Sequence, residues 1–420
     1  MKNKRTCVKF IILVSIVFSF LKTQNTYATN FNLTSKSALV MDIETGEVIF
    51  AYNATEKVQI ASTTKLMTGL LLAENREKKD VIKFTEKAIA QPSTSVFKDV
   101  AQKLTVEDSF YADDVMKGLL LKSGNDMAAI IAEDIAGNEY SFSKLMDAKA
   151  KELGMLDSDF YTASGLDTEE ILSGESHYST AFDMALLGAA AYKNDWLRET
   201  MSLKNTKMST VDGYEFEIAN SNKNLGLDGC VGGKTGYTTK AQRCLVAMYE
   251  INDKVLVGVV LGGDNPGYFD DMKKIIDYSA NAKPIKKFSK EEVVYEANLS
   301  PGFLTSFLGL EDFKIPMYTN EDIYVYENEF NEMNMSYDVA SKEINVLRLK
   351  EGKPISKVII NTKGMAKEHN LYADITTKHL LYNSSSIYMK GLRIILFVGV
   401  IVFILMIIKR NKYTKKHYNT

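Results

Sequence analysis

Ile60-Ala61-Ser62-Thr63-Thr64-Lys65-Leu66-Met67-Thr68-Gly69 is the stretch on which the reading of this chain turns. It sets a serine hydroxyl and a lysine amine three residues apart, at what reads as a helix start. At that spacing the two side chains share one helical face and can hydrogen-bond. Serine is a poor nucleophile at neutral pH and needs a neighbouring base. Lysine can be that base once desolvation and nearby positive charge push it toward the neutral amine. Ser62 ahead of Leu66, Met67, Leu70 and Leu71 equally fits a plain helix cap. The pair therefore decides nothing until the rest of the chain is set beside it.

Two further stretches decide it. Ser123-Gly124-Asn125 interrupts an apolar pattern between two helical runs, and Lys234-Thr235-Gly236 leads into strand-like sequence. Their first residues lie 61 and 111 positions beyond the first residue of the motif before (62 to 123, 123 to 234). Singly, a Ser-Gly-Asn loop and a Lys-Thr-Gly hairpin start are common. Jointly, on a helix start, a helix-flanked loop and a strand, they form the motif set of active-serine enzymes that react with penicillin.

On these residues the chain resembles the low-molecular-weight penicillin-binding proteins, the serine-type D-alanyl-D-alanine carboxypeptidases. The likeness extends through Ala61 to Thr68, Leu119 to Asp126, His177 to Ala181 with Asp183, Gly233 to Thr238 and Arg243 to Ala247, over about residues 33–280. It implies an α+β fold in which helices flank an antiparallel sheet. It also implies roles: Ser62 as nucleophile, Lys65 as general base, Ser123 as proton relay to the leaving amine, and Asn125 as a holder of Lys65 or the substrate amide. Lys234 and Thr235 would receive the terminal carboxylate, and Gly236 would let substrate backbone lie along the strand. The N–H groups of Ser62 and Tyr237 would form the oxyanion hole. Three departures concern loop shape and substrate preference: Ala241-Gln242 where the family usually has Ala-Gly, Ser164 where histidine is common before Gly-Leu-Asp, and a longer segment from Glu107 to Asp114.

Other conspicuous residues have simpler expectations. Arg243 is expected in a cross-strand ion pair, His177 as a structural hydrogen-bonder rather than a triad member, and Trp196 in the core. No cofactor is expected, and four dispersed histidines give no metal-ligand pattern. Cys230 and Cys244 fit either a disulfide or two free thiols.

The periodicity predicts a hairpin from Ala38 to Ala51 through Glu44-Thr45-Gly46-Glu47, and helices from Leu104, over Met127 to Ala136, and over 140–153 and 179–193. Strands follow over Cys244 to Tyr249 and Val255 to Leu261, sharing one sheet with the first hairpin. Residues 29–283 would be the catalytic domain and 284–376 a small β-rich domain. Residues 1–28 read as a signal peptide, with basic Lys2, Lys4 and Arg5 before an apolar run and Thr26-Tyr27-Ala28 as cleavage site. Residues 377–390 read as a linker, 391–408 as a transmembrane anchor and 409–420 as a basic cytoplasmic tail. The bulk of the chain would then be extracytoplasmic on a single-pass anchor.

A net charge of −2 and no basic block outside the termini give no sign of nucleic acid as a partner. The expected partners are the peptidoglycan stem peptide, β-lactams and the membrane. A β-lactamase on the same fold would need a second base to free the acyl-enzyme. The region Leu156 to Gly165 offers Asp157 and Asp159 but no glutamate. A DD-endopeptidase would use the same motifs, whereas a non-catalytic wall-binding protein should have lost one of them, and none is lost.

Overall fold

A computed structural model of the chain describes residues 31–92, 94–100, 104–167, 177–300, 313–345, 349–373 and 387–417. The expected signal segment, and the expected linker as far as residue 386, lie outside these.

The centre is a five-stranded antiparallel sheet built from β1 (Ser37–Asp42), β2 (Val48–Tyr52), β3 (Cys230–Thr238), β4 (Gln242–Ile251) and β5 (Lys254–Gly263), in the order β2-β1-β5-β4-β3. The two ends of the catalytic sequence thus meet in one sheet, with Ala38 opposite Val260 and Leu39 opposite Val259. Alternation explains the layering. Leu39, Met41, Val257 and Val259 face the large helical layer, while Ala38, Val40, Leu256 and Val260 face the other side, where the helix Gly267–Asn281 packs. A central strand covered on both faces accounts for the unbroken apolar run Val255 to Leu261.

The helical layer contains α1 (Lys65–Asn75), α2 (Ala112–Leu120), α3 (Asn125–Ala136), α4 (Glu139–Glu152) and α5 (Ala181–Lys193). A single 3-10 turn, Ala61–Thr64, leads into α1. The helix expected from Leu104 begins only at Ala112. Thr105 and Asp108 instead close a turn, the Thr105 N–H donating to Asp108 Oδ2 at 2.6 Å, and Ser109–Tyr111 is a short strand. Local capping chemistry was present, but it served a turn. Trp196 lies in the core, its indole N–H donating to Asp113 Oδ1 at 2.9 Å.

The described residues between 285 and 373 include short strands in three small sheets around a separate apolar cluster that includes Ala297, Ile315, Met317, Val358 and Leu371. This part is seated on the first. The side-chain amides of Asn328 and Asn331 both donate to the Val48 carbonyl at 2.9 Å, and Phe330 stacks on Phe182 with ring centroids 4.8 Å apart. Lys363 pairs with Asp157 at 2.6 Å.

Among the described residues no helix is long and apolar enough to cross a membrane, so the spanning segment expected at 391–408 is not found there. The physical reason is length. Within the helix Ile387–His417, the uncharged run from Ile394 to Ile408 sits between Arg393 and Lys409. At 1.5 Å per residue it rises about 22 Å, against an apolar layer of about 30 Å.

Candidate active site

The Ala61–Thr64 turn puts Ser62 at the mouth of the site and Lys65 in its floor. No side-chain capping bond occupies Ser62; its hydroxyl instead meets Lys65 Nζ at 2.9 Å. Lys65 is fully buried and has two further partners, Asn125 Oδ1 and the Ser164 carbonyl, each at 2.8 Å. The Asn125 amide has one orientation, because its Nδ2 donates to the Pro92 carbonyl at 3.0 Å and leaves Oδ1 for the lysine.

This geometry carries a chemical consequence. Asn125 Oδ1 and Ser164 O can only accept hydrogen bonds. A neutral lysine amine has two N–H groups and one lone pair. With both N–H groups committed to obligate acceptors, the lone pair is left facing the one partner that can donate, the Ser62 hydroxyl. Two forces favour that neutral state. Burial is the larger in holding the Lys65 amine well below the ordinary lysine range, and the charge of Lys234 adds to it. Both are the forces expected from the sequence, with desolvation the larger.

Lys234, also fully buried, is lowered to about 7 by burial and donates to the Thr235 carbonyl at 2.8 Å. It lies on β3, the edge strand of the sheet, which passes over the 3-10 turn. A Cβ added to Gly236 would lie 2.9 Å from Ser62 N and 3.0 Å from Thr63 N, so only glycine permits this approach. Thr235 Oγ1 bonds Ser221 Oγ at 2.8 Å, and Tyr237 is half exposed at the rim. The free edge of β3 offers backbone groups for an extended peptide to pair with.

Ser62, Lys65, Asn125, Lys234, Thr235, Gly236 and Tyr237 are thus collected at one place. Ser123 lies in the loop just before Asn125, which opens α3; it is half-buried with φ 65° and makes no hydrogen bond to Ser62 or Lys65 here. A non-glycine residue in that left-handed region is a conformational cost that the surrounding loop sustains.

Several supports were not foreseen. The loop Thr162 to Gly165 supplies the Ser164 carbonyl. It is held by Thr68 Oγ1 donating to Ala163 O at 2.6 Å, and by Glu139 Oε1 accepting the Ala163 N–H at 2.9 Å. Gly165 has φ +76°, and a Cβ there would lie 2.0 Å from the Ala61 carbonyl oxygen. Asp126 reaches back to accept the Phe97 N–H at 2.8 Å, folding that segment against the second motif. Apart from the Gly-Leu-Asp text near Ser164, no motif announces these contacts.

His177 is structural, as expected. Its Nδ1 accepts the Tyr161 N–H at 3.1 Å, so the ring proton sits on Nε2, which donates to Thr64 Oγ1 at 2.9 Å; the threonine in turn donates to Ala61 O at 2.7 Å. The expected ion pair of Arg243 is not formed among the described residues. Its guanidinium lies 4.2 Å from the ring centroid of Tyr237, its cross-strand partner, and cation–π stacking replaces the salt bridge. Cys230 and Cys244 are free thiols. Cys244 pairs in register with Gly236, six residues along β3 from Cys230, and the two thiols serve opposite faces of the sheet. At about 3.3 Å per residue that is about 20 Å, far beyond disulfide reach.

A sheet-edge strand laid across a helix start that carries a serine and a buried lysine defines a serine acyl-transfer enzyme of the penicillin-recognising class. The family model described as D-alanyl-D-alanine carboxypeptidase, peptidase S11, matches residues 23–265, and the chain belongs to that family. It is 28% identical over 343 residues to D-alanyl-D-alanine carboxypeptidase DacF of Bacillus subtilis, covering 79% of this chain and 82% of the relative. With D-alanyl-D-alanine carboxypeptidase DacC of Escherichia coli it shares 32% identity over 254 residues, 58% of this chain and 60% of the other. Among solved structures, penicillin-binding protein D2 of Listeria monocytogenes in its ampicillin-bound form superposes with a TM-score of 0.52 at 27% identity, covering 60% of this chain and 99% of that one.

Proposed function

We propose that the chain removes the terminal D-alanine from peptidoglycan stem peptides through an acyl-enzyme on Ser62, and that β-lactams acylate the same oxygen. The observation that carries this reading is the 2.9 Å contact between Ser62 Oγ and a buried lysine nitrogen whose other two partners can only accept.

In this mechanism Lys65 Nζ takes the Ser62 proton as Oγ bonds to the carbonyl carbon of the penultimate D-alanine. The resulting oxyanion is received by the N–H groups of Ser62 and Tyr237, where losing one such donor costs about 3 kcal/mol. The C–N bond then breaks, and the leaving D-alanine amine takes a proton by way of Ser123. Lys234 and Thr235 hold the terminal carboxylate. Water hydrolyses the ester, and Ser62 regains its proton.

Slow release of a penicilloyl group follows from where the carboxylates are committed. Asp157 is paired with Lys363, Asp159 Oδ2 accepts the His177 N–H at 3.3 Å, and Glu139 accepts the Ala163 N–H. Among the described residues each of these three carboxylates thus has a partner of its own, which supports the slow release. D-Alanine release from a pentapeptide tests the reading: wild type should release it, and Ser62→Ala and Lys65→Ala should not. Release by Ser62→Ala at the wild-type rate would refute it.

The same reading places the catalytic part outside the cytoplasmic membrane, with residues 284–376 as a spacer unit and the helix Ile387–His417 holding the protein at the bilayer. Support comes from the exposed apolar side chains between Ile394 and Ile408 and the basic residues that follow, Lys409, Arg410, Lys412, Lys415 and Lys416. Deleting residues 387–417 should release the protein from sedimented membranes; unchanged sedimentation would remove this part of the reading.

A further inference from the structure

The geometry points to Glu139 as a positioning residue for the acylation step: its carboxylate fixes the Thr162–Gly165 loop so that the Ser164 carbonyl keeps hold of Lys65 and the lysine lone pair stays on Ser62. This inference rests on the function proposed above and assigns a residue to it that no motif contains.

The chain of contacts is short. Glu139 opens α4 and is half-buried. Its Oε1 accepts the Ala163 N–H at 2.9 Å, and the second carbonyl along the backbone from that N–H, that of Ser164, accepts from Lys65 Nζ at 2.8 Å. The loop is pinned further by Thr68 Oγ1 on the Ala163 carbonyl, by the Gly165 N–H on Thr162 Oγ1, and by Gly165 lying against the Ala61 carbonyl. The first and last of these set its height over α1. The Glu139 bond holds the Thr162–Ala163 peptide at the start of this turn, and the peptide that carries the Ser164 carbonyl is held in turn by its Gly165 N–H on Thr162 Oγ1 at 3.0 Å. Without the Glu139 bond the Thr162–Ala163 peptide can shift and carry the Thr162-anchored Ser164 carbonyl with it, and an amine with one N–H released no longer has a single direction for its lone pair. Proton transfer is steep in that direction.

Glu139 also faces Lys65 as a charge. The charged groups around the lysine are Lys234 from β3, Asp126 from α3 and Glu139 from α4, with neutral His177 on the remaining side. Lys87 and Glu133 in turn face Glu139. A carboxylate here favours the protonated lysine and partly offsets Lys234. The two roles, bond and charge, separate on substitution. Glu139→Gln keeps an oxygen for the Ala163 N–H and loses the charge; Glu139→Ala loses both.

The test is the rate of acylation of the full chain by a fluorescent penicillin as a function of pH, with D-alanine release measured alongside. In Glu139→Gln the alkaline plateau should stay within about threefold of wild type, while in Glu139→Ala it should fall about tenfold, the scale of one hydrogen bond to a charged group lost. In both, the acid limb should move to lower pH. Thermal melting of each variant reports the structural contribution separately. Equal plateaus for Glu139→Ala and wild type would overturn the inference. So would an equal loss of plateau in both variants with an unmoved acid limb, the signature of a purely structural role. If the wild-type chain is not acylated, or Ser62→Ala is acylated equally well, the proposed function itself fails, a result distinct from either.

Discussion

Replacing Asn125 by aspartate puts a negative charge where a neutral acceptor stands, almost without change of shape. The oxygen lies 2.8 Å from Lys65 Nζ. At an effective dielectric of about 20, a unit pair at that distance interacts by about 6 kcal/mol. Divided by about 1.36 kcal/mol per pH unit, that raises the Lys65 proton affinity by about 4 pH units. The sign matters: wild-type Lys65 is held low by burial and by Lys234, so acylation should rise with pH as that amine loses its proton and be near its plateau above the lowered value. In Asn125→Asp the same rise should occur about 4 units higher, and neutral-pH acylation should fall by up to about 10,000-fold. Asn125→Ala, which removes one N–H partner without adding charge, should lose only about tenfold. Stopped-flow acylation by a fluorescent penicillin across pH reads both. An Asn125→Asp variant that acylates at neutral pH within tenfold of wild type, with its acid limb unmoved, would refute the neutral-lysine argument.

Other consequences are equally specific. Gly236→Val should abolish acylation, because even a Cβ there would lie 2.9 Å from Ser62 N; a labelling assay on folded variant checks it, and retained labelling would show the strand can retreat. His177, buried and lowered from 6.5 to about 4, binds its proton less well folded than unfolded, so stability should drop as pH falls from about 6.5 to about 4 and then level off. That loss amounts to about 3 kcal/mol, and denaturant unfolding of His177→Gln should lack it. Lys234 is lowered to about 7 and is proposed to receive a carboxylate, so KM for the pentapeptide should rise as pH passes upward through about 7; a flat KM would separate Lys234 from that role. Gln242 opens β4 at φ 60°, so Gln242→Gly should raise stability by up to about 1 kcal/mol, seen as a higher melting temperature.

What the sequence disclosed and what it withheld follow one physical division. Ser62, Lys65, Asn125 and the Lys234–Tyr237 strand were legible because their chemistry lives in side chains, or in a glycine's lack of one, at fixed spacing. The sheet was legible because alternation and an unbroken apolar run report burial directly. The Ser164 carbonyl was not legible, since any residue presents a backbone oxygen and only the fold aims it. Glu139 was hidden for a related reason: its partner is a backbone N–H across a long chain separation. Arg243 misled because cross-strand pairing was read correctly but its partner is the ring of Tyr237. Thr105 and Asp108 misled because capping residues close turns as readily as they start helices. The departure at Gln242 has a structural counterpart, since the position adopts the conformation that favours glycine.

The most direct measurement is intact-mass and peptide-mapping analysis of the full chain after exposure to benzylpenicillin at neutral pH. The account predicts one penicilloyl group per chain, on the peptide containing Ser62, long-lived in wild type and missing in Lys65→Ala. An adduct on Ser123 or elsewhere, or one formed equally well without Lys65, would contradict it.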